Sequence, residues 1–590
     1  MKHVMSKLLR SSVKVGLAIS AISMMVTDAN AADIKDVARE DTFVIAGPSS
    51  GRPTFPTPGI ANPFIIGAEI RTGIISMFEP LFYYNAYQDK HIPWLAESYK
   101  YSDGYKQIDL VLRKGVTWSD GQAFDSEDVV FTINMLINNG KTTKDMQYAT
   151  QFSGRVASIE ATGSHGVVIK LKKTDPRFVY NYLSNYFGNG LFLQPEHIWK
   201  DVKDPGSFKN YDPEKGLPVT TSPWNVVLSS PQQTFMDRND NWWASKTGFH
   251  PLPEIKRIIG VPFVNTDRGA QLMVSNAVDM TMGYPNAALV EKILEQNPKA
   301  TTFSGREKPY GNLDWWPTSL YFNFKSEKVQ DIRLRRAISH AVNREQAVEV
   351  GYSGASEVSN SPFPAFEPLK PYIAIADKLS KKHGVGTFNL KESDRLMTEM
   401  GYAKNGKKMW EKDGKTLKMN IEGIAPMRSV GPVVMQQLRN AGFDIKFISN
   451  SNTRKRTLSG QADLILFGHL GSIDDPYRTL DNYHCKNALD VGKTSFQIAR
   501  WCNEDYSKIV DQISLLPRGD KQVDVLVEKA LDLWFKNVVE LPINQWYHRI
   551  PVNLTRWTNY PSKDNPYLQP AFWYKSGQAG YMFNKLKKQK

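Results

Sequence analysis

Cys485 and Cys502, seventeen positions apart, are the two thiols of the chain. As thiolates they could hold a metal, and His484 stands beside the first. No further His or Cys lies at C-x-x-C or H-x-x-x-H spacing, so no metal site is expected. In an oxidising compartment the pair would instead close a disulfide loop. Nucleophilic catalysis fares no better. Gly351-Tyr352-Ser353-Gly354 has its second glycine too early for a nucleophile elbow. Gly492-Lys493-Thr494 ends like a phosphate-binding loop, but Asn487 occupies the place of its first glycine. H-E-x-x-H is absent, and the ten histidines are dispersed. Asp474 and Asp475 are neighbouring acids, an arrangement that usually marks solvated loop charges, and nothing fixes the separation a glycosidase needs. The chain therefore reads as a non-enzyme without a cofactor, with a secreted glycosidase as the remote alternative.

What remains is equipment for non-covalent capture. There are 14 Trp, 25 Tyr and 28 Phe. Aromatic faces stack on the C–H faces of sugar rings while Asn, Gln and Asp bond the hydroxyls. A peptide asks instead for charged partners at its ends and backbone pairing along its length.

The elements that would position such residues begin after an export signal. Lys2, Lys7, Arg10 and Lys14 lead into the apolar run Val15 to Val26, and Ala29-Asn30-Ala31 supplies small residues for cleavage before Ala32. That run is too short to span a bilayer, and no later apolar run is long enough. No cysteine near the cut could carry a lipid anchor, so the expectation is a soluble periplasmic protein. The formal charge of the whole chain is +14. Its Lys and Arg are scattered, the one dense run being Lys585 to Lys590, so nucleic acid is not an expected partner.

Thr42 to Ala46, Gln107 to Arg113 and Val167 to Leu171 pattern as strands, and Asp125 heads a helix with Asp128 in its first turn. Ser319 to Phe324 reads as a strand, followed by one long helix from Asp331 through Ala347, with Leu334, Ala337, Ile338 and Ala341 on its apolar face. A second amphipathic helix spans 388–402 and ends at Gly401. Lys418 to Ile421 and Asp444 to Ile448 read as strands flanking the helix Val430 to Asn440. Strands alternating with helices, without an internal repeat, indicate an α/β protein.

Several segments, in order, resemble family 5 of the extracytoplasmic solute-binding proteins, which serves peptide, nickel and oligosaccharide importers. They are Phe78-Glu79-Pro80-Leu81-Phe82, Pro93-Trp94-Leu95-Ala96-Glu97-Ser98 and Leu112 to Phe124 continuing into Glu127 to Thr132. Pro195-Glu196-His197-Ile198-Trp199, Arg238-Asn239-Asp240-Asn241-Trp242-Trp243 and Ile332 to Ser339 complete the set. The resemblance implies a two-lobed periplasmic-binding-protein clamp with a hinge (type II, cluster C-like). Lobe I would use 32–72, 206–318 and 537–590, with 73–205 as an extra subdomain, and lobe II 319–536. It also implies a monomer that captures a small solute between its lobes and hands it to the permease of an ABC importer. Gly115, Gly121, Trp118, Trp242 and Trp243 within these blocks read as folding residues.

For the ligand, the block Arg556 to Tyr567 with Phe572-Trp573, and Lys203 to Phe208, resemble the oligosaccharide binders of that family. Gly468-His469-Leu470-Gly471-Ser472-Ile473-Asp474-Asp475-Pro476 departs from the stretch in which peptide binders hold the ligand's amino group, although Asp474 could substitute. An oligosaccharide or glycoconjugate is therefore the first expectation, an oligopeptide the alternative and an opine-like conjugate a third. Candidate contacts are Asn62, Phe64, Trp315, Trp316, Phe467, His469, Asp474 and Trp546, with the tryptophans expected to stack on the ligand.

Overall fold

The computed structural model describes residues 34–47, 53–55, 57–65, 74–142, 146–186, 190–262, 265–282, 285–468, 471–569 and 577–590. The strand Thr42–Ala46 is buried along its whole length and lies parallel to both of its neighbours, Arg257–Val261 and Met280–Thr281. Its alternating side chains feed two cores. Phe43 and Ile45 point to one, and Phe43 packs there on Phe583 at 5.2 Å; Val44 and Ala46 join Met273, Val290 and Leu294 on the other. A strand covered on both faces by helices and loops calls for apolar residues on both, which explains the unbroken run Phe43-Val44-Ile45-Ala46. Four further strands complete a seven-stranded sheet, Val552–Asn553 from the far end of the chain among them.

The second unit is an antiparallel four-stranded sheet, ordered Ala96–Ser102, Gln107–Leu112, Gly166–Leu171, Val156–Ala161. Here burial alternates: Ile108, Leu110 and Leu112 face in. They share a core with Val129, Ile133 and Leu136 of the helix Ser126–Thr142. Asp125 Oδ1 accepts the Glu127 amide at 2.9 Å and Asp128 Oδ2 the Asp125 amide at 3.2 Å, satisfying donors at the helix start. Asp128 also receives Trp118 Nε1 at 2.9 Å, which fixes that buried indole. Gly115 and Gly121 sit in turns at φ +78° and +91°, as a folding role requires.

The third unit is a five-stranded mixed sheet, ordered Asp444–Ile448, Lys418–Gly423, Leu464–Gly468, Thr318–Phe322, Glu540–Asn544. Glu540–Asn544 falls within the 537–590 stretch assigned above to lobe I, yet it pairs with Thr318–Phe322 in this sheet. The long helix expected from Asp331 to Ala347 is two helices, Ile332–Ala341 and Arg344–Tyr352. Val342 and Asn343 between them are extended, and Asn343 Oδ1 accepts the Gln346 amide at 3.0 Å. An Asn whose side chain competes for backbone donors favours a cap over a helix interior. Helix Leu390–Glu399 ends as expected at Gly401, with φ +82°.

Two chain crossings join the first and third sheets. Asn312–Leu313 and Tyr547–His548 pair as a short antiparallel ribbon, and Asp314 holds His548 across it at 2.6 Å, both side chains buried. The Cys485–Cys502 disulfide is present as expected.

Candidate functional site

Leu464–Gly468 is the central strand of the third sheet, and Gly471 lies against the crossing segment. Glycine is required at both positions. A Cβ on Gly468 would stand 2.9 Å from the Trp316 ring, and one on Gly471 would stand 2.9 Å from the Trp315 carbonyl oxygen, which the Gly471 amide instead bonds at 2.7 Å. The turn Asp474-Asp475-Pro476 follows and opens the helix Tyr477–Asn482, whose first amide donates to Asp475 Oδ1 at 3.0 Å.

Facing this turn is the edge of the antiparallel unit. Arg177, just ahead of the helical turn Val179–Leu183, reaches across and its Nε donates to Asp475 Oδ2. Its Nη1 donates to the carbonyls of Ile513, Ser514 and Leu516, at the end of helix Glu504–Leu515. The same guanidinium lies 4.7 Å over the Tyr477 ring. A second ion pair spans the gap, with Arg518 donating through both Nη atoms to Asp89. Arg478 donates to Tyr186 Oη at 2.9 Å and sits 4.9 Å over the Trp315 ring. Tyr180 and Tyr186 stack at 4.4 Å and 20°, and Tyr84 meets Tyr180 edge-on at 5.0 Å.

Asp474 is the exception in this ring of partners. Among the described residues, no other residue forms a hydrogen bond or ion pair with its carboxylate, although it is buried. Burial, and then the adjacent charge of Asp475, push its pKa up to about 8, against the pull of Arg518 and Arg177. Its charge in turn raises Tyr84 and Tyr180, behind burial as the larger cause for each. Arg478 is likewise without a carboxylate partner among the described residues, and it too acts on Tyr180 and Tyr186. The site thus holds one unmatched acid and one unmatched base between aromatic walls.

The other sequence-derived candidates divide. Trp315 joins this wall, buried beneath Arg478 and the edge of Tyr186. Trp316 is partly buried against Phe467 at 5.0 Å, and Phe467 itself lies inside the third sheet's core. Trp546 packs on Tyr352 and His548 by the ribbon rather than in the Asp474 cluster. Asn62 is structural: its Nδ2 donates to the Pro205 and Phe208 carbonyls and its Oδ1 accepts the Phe64 amide. Phe64 is a core residue packed on Trp199. His469 and the Phe572-Trp573 pair lie outside the described residues. Trp242 and Trp243 are core anchors, but of the antiparallel unit, where Trp243 Nε1 donates to the buried Glu79 at 3.0 Å. The one tight group of three metal-ligand types among the described residues is Cys485, Cys502 and Glu504, and its two sulfurs are bonded to each other.

Sequence reasoning missed Arg177, Arg478, Arg518, Tyr84, Tyr180 and Tyr186. Only Arg478 carried a local signal, four residues after Asp474 on the helix that the Asp474-Asp475-Pro476 turn opens.

Three sheets joined by two crossings, with a polar cluster between opposed units, define a two-lobed α/β solute-binding fold. The family model of bacterial extracellular solute-binding proteins, family 5, matches residues 90–490. The nickel-binding periplasmic protein of Escherichia coli K12 is 23% identical over 425 residues, covering 70% of this chain and 74% of that protein. Di/tripeptide-binding protein 3 of Pseudomonas aeruginosa UCBPP-PA14 is 22% identical, covering 86% and 91%. A periplasmic oligopeptide-binding protein of Thermotoga maritima superposes with a TM-score of 0.79 at 19% identity, covering 94% of this chain and all of that one. The same protein bound to mannohexaose superposes at 0.74, also at 19% identity and with the same coverage.

The chain belongs to family 5 of the bacterial extracellular solute-binding proteins. It is accordingly a substrate-binding component of an ABC importer, working with permease subunits. Members of this family are transport proteins rather than enzymes. None of the described helices is long and apolar enough to cross a membrane.

Proposed function

We propose that the protein captures a short peptide, or a zwitterion of similar size, between its lobes in the periplasm and releases it to the permease. The observation that carries this reading is the buried Asp474 carboxylate, which has no partner residue among the described ones, with the half-buried Arg478 guanidinium on the same Tyr180–Tyr186 wall. A buried charge without a partner is unfavourable, and a ligand bearing an ammonium and a carboxylate supplies both missing partners. The peptide-binding relatives support it. In this reading lobe I takes 32–72, 206–318 and the chain after 545, with 73–205 as its subdomain, and lobe II takes 319–544. Residues 1–31 act as the export signal, and the ribbon of Asn312–Leu313 with Tyr547–His548 is the hinge.

A neutral oligosaccharide is the second reading, favoured by the stacked Tyr180–Tyr186 pair. Calorimetric titration with trialanine and with mannotetraose separates the two. Trialanine is expected to bind, and Asp474→Asn to weaken it by about 2–5 kcal/mol, as for a desolvated charge pair that loses one member. Mannotetraose binding that ignores salt, with only about 1 kcal/mol lost in Asp474→Asn, would instead install the sugar.

A further inference from the structure

The Arg177 side chain is nearly all buried, yet it belongs to the opposite unit from every group that the side chain bonds. It lies 298 residues from Asp475 in sequence, and its bonds exist only when the two units are in contact. We propose that Arg177 is the closure latch of this protein and a positioning residue for its ligand. By reaching Asp475 and the end of helix Glu504–Leu515, it neutralises one acid of the pair and leaves Asp474 alone to meet one positive charge. The part concerning the ligand rests on the zwitterion reading above.

The argument is one of charge matching. In an open cleft, Asp474 and Asp475 face water side by side. Closure brings Arg177 onto Asp475 and removes Asp474 from water without a partner. A closed, empty cleft must therefore either bury a lone carboxylate or protonate it, and an ammonium group on the ligand removes that penalty. Closing is thus coupled to the ligand's charge. Other charged and titratable groups lie around the pair: Tyr84 and Asp89 in the hairpin 82–93, Tyr99 on the strand Ala96–Ser102, Tyr180 and Tyr186 on the wall, Arg518 in the turn after helix Glu504–Leu515, Tyr372 on the helix Lys370–His383, and Tyr477 and Arg478 on the helix Tyr477–Asn482. Of these, Arg518 and Asp89 pair with each other, so they do not replace Arg177.

The test uses the full mature chain as wild type, Arg177→Gln and Arg177→Lys, each checked for an intact fold by its thermal melt. At pH 6, where Asp474 carries a proton, small-angle scattering of the ligand-free proteins should show Arg177→Gln more expanded than wild type, with Arg177→Lys between them. An Arg177→Gln protein as compact as wild type would overturn the latch. The second readout is proton release on trialanine binding, measured calorimetrically in buffers of different ionisation heat. Opening the empty cleft returns Asp474 to water and removes the burial that holds its proton, so the pH at which release ceases should move down in Arg177→Gln and stay closer to wild type in Arg177→Lys. A merely structural Arg177 would leave that pH unmoved, and that outcome overturns the positioning role. Should wild type fail to bind trialanine, the peptide reading falls while the scattering comparison still decides the latch.

Discussion

Three buried carboxylates have pKa values pushed far up, and their surroundings separate their roles. Glu79 is raised to about 7 by burial, with Trp243 donating to it inside a closed tryptophan-lined core. Glu540 is raised to about 8 by burial, with Tyr483 Oη donating at 2.6 Å beneath the third sheet. Both sit within one continuous unit and accept a protein donor, so neither is open to a ligand. Asp474 alone lies at a boundary between units and accepts none. For Glu540 the shift becomes a stability effect. Between its unfolded value near 4.5 and its folded value near 8, the native state holds a proton that the unfolded chain releases. Its contribution is therefore fully present below pH 4.5 and is lost as pH rises through 8. Glu540→Gln keeps an acceptor for Tyr483 and cannot ionise. Its melting temperature should match wild type at pH 4.5 and exceed it at pH 9, a gap that thermal denaturation followed by circular dichroism would reveal. A constant offset at both pH values would rule out ionisation of Glu540 as the cause.

At the scale of elements, the division of 331–352 into two helices shows how a single polar residue outweighs apolar periodicity. The spacing of Leu334, Ala337, Ile338 and Ala341 by itself predicts one helix from Asp331 through Ala347. Asn343 breaks it because its side chain satisfies a backbone donor of the second helix, while its carbonyl accepts Gln437 Nε2 at 2.9 Å. Asn343→Ala removes only the cap. It should lower stability by about 1 kcal/mol in urea unfolding, the usual value of an N-cap side chain, with ligand affinity unchanged. An unaltered unfolding midpoint would show that packing, rather than the cap, sets the break. The strand Glu540–Asn544 is a parallel lesson. The family resemblance places it in the 537–590 stretch of lobe I, and four of its five buried positions register with Thr318–Tyr321 of the third sheet, Ile543 standing at a bulge. Backbone pairing has no local signature that names the partner strand.

At the scale of the whole molecule, ligand capture should appear as a change of shape. At about pH 8, where much of Asp474 is ionised in the empty cleft and much of the trialanine amine is still an ammonium, saturating trialanine should reduce the radius of gyration seen by small-angle scattering, because only the closed state contacts the ligand from both sides. A radius that does not move with ligand, in protein stripped of any co-purified solute, would argue against a clamp. Much of this architecture could be read from the chain itself. An unbroken apolar run marks Thr42–Ala46 and period-2 patterns mark Gln107–Leu112 and Asp444–Ile448, capping residues mark helix ends, and the pairing of Cys485 with Cys502 follows from two thiols close in sequence. The ordered blocks from Phe78 to Ser339 were enough to identify the family. All of these are local signals, since they depend on residues a few positions apart. The site depends on contacts of another kind. Arg177 meets Asp475 across 298 residues and Arg518 meets Asp89 across 429. Whether an acid is a solvated loop charge or an unmatched buried one depends on what the fold brings against it. Asp474 and Asp475 are the same residue type at adjacent positions, and only the tertiary structure gave a partner to one and buried the other without one.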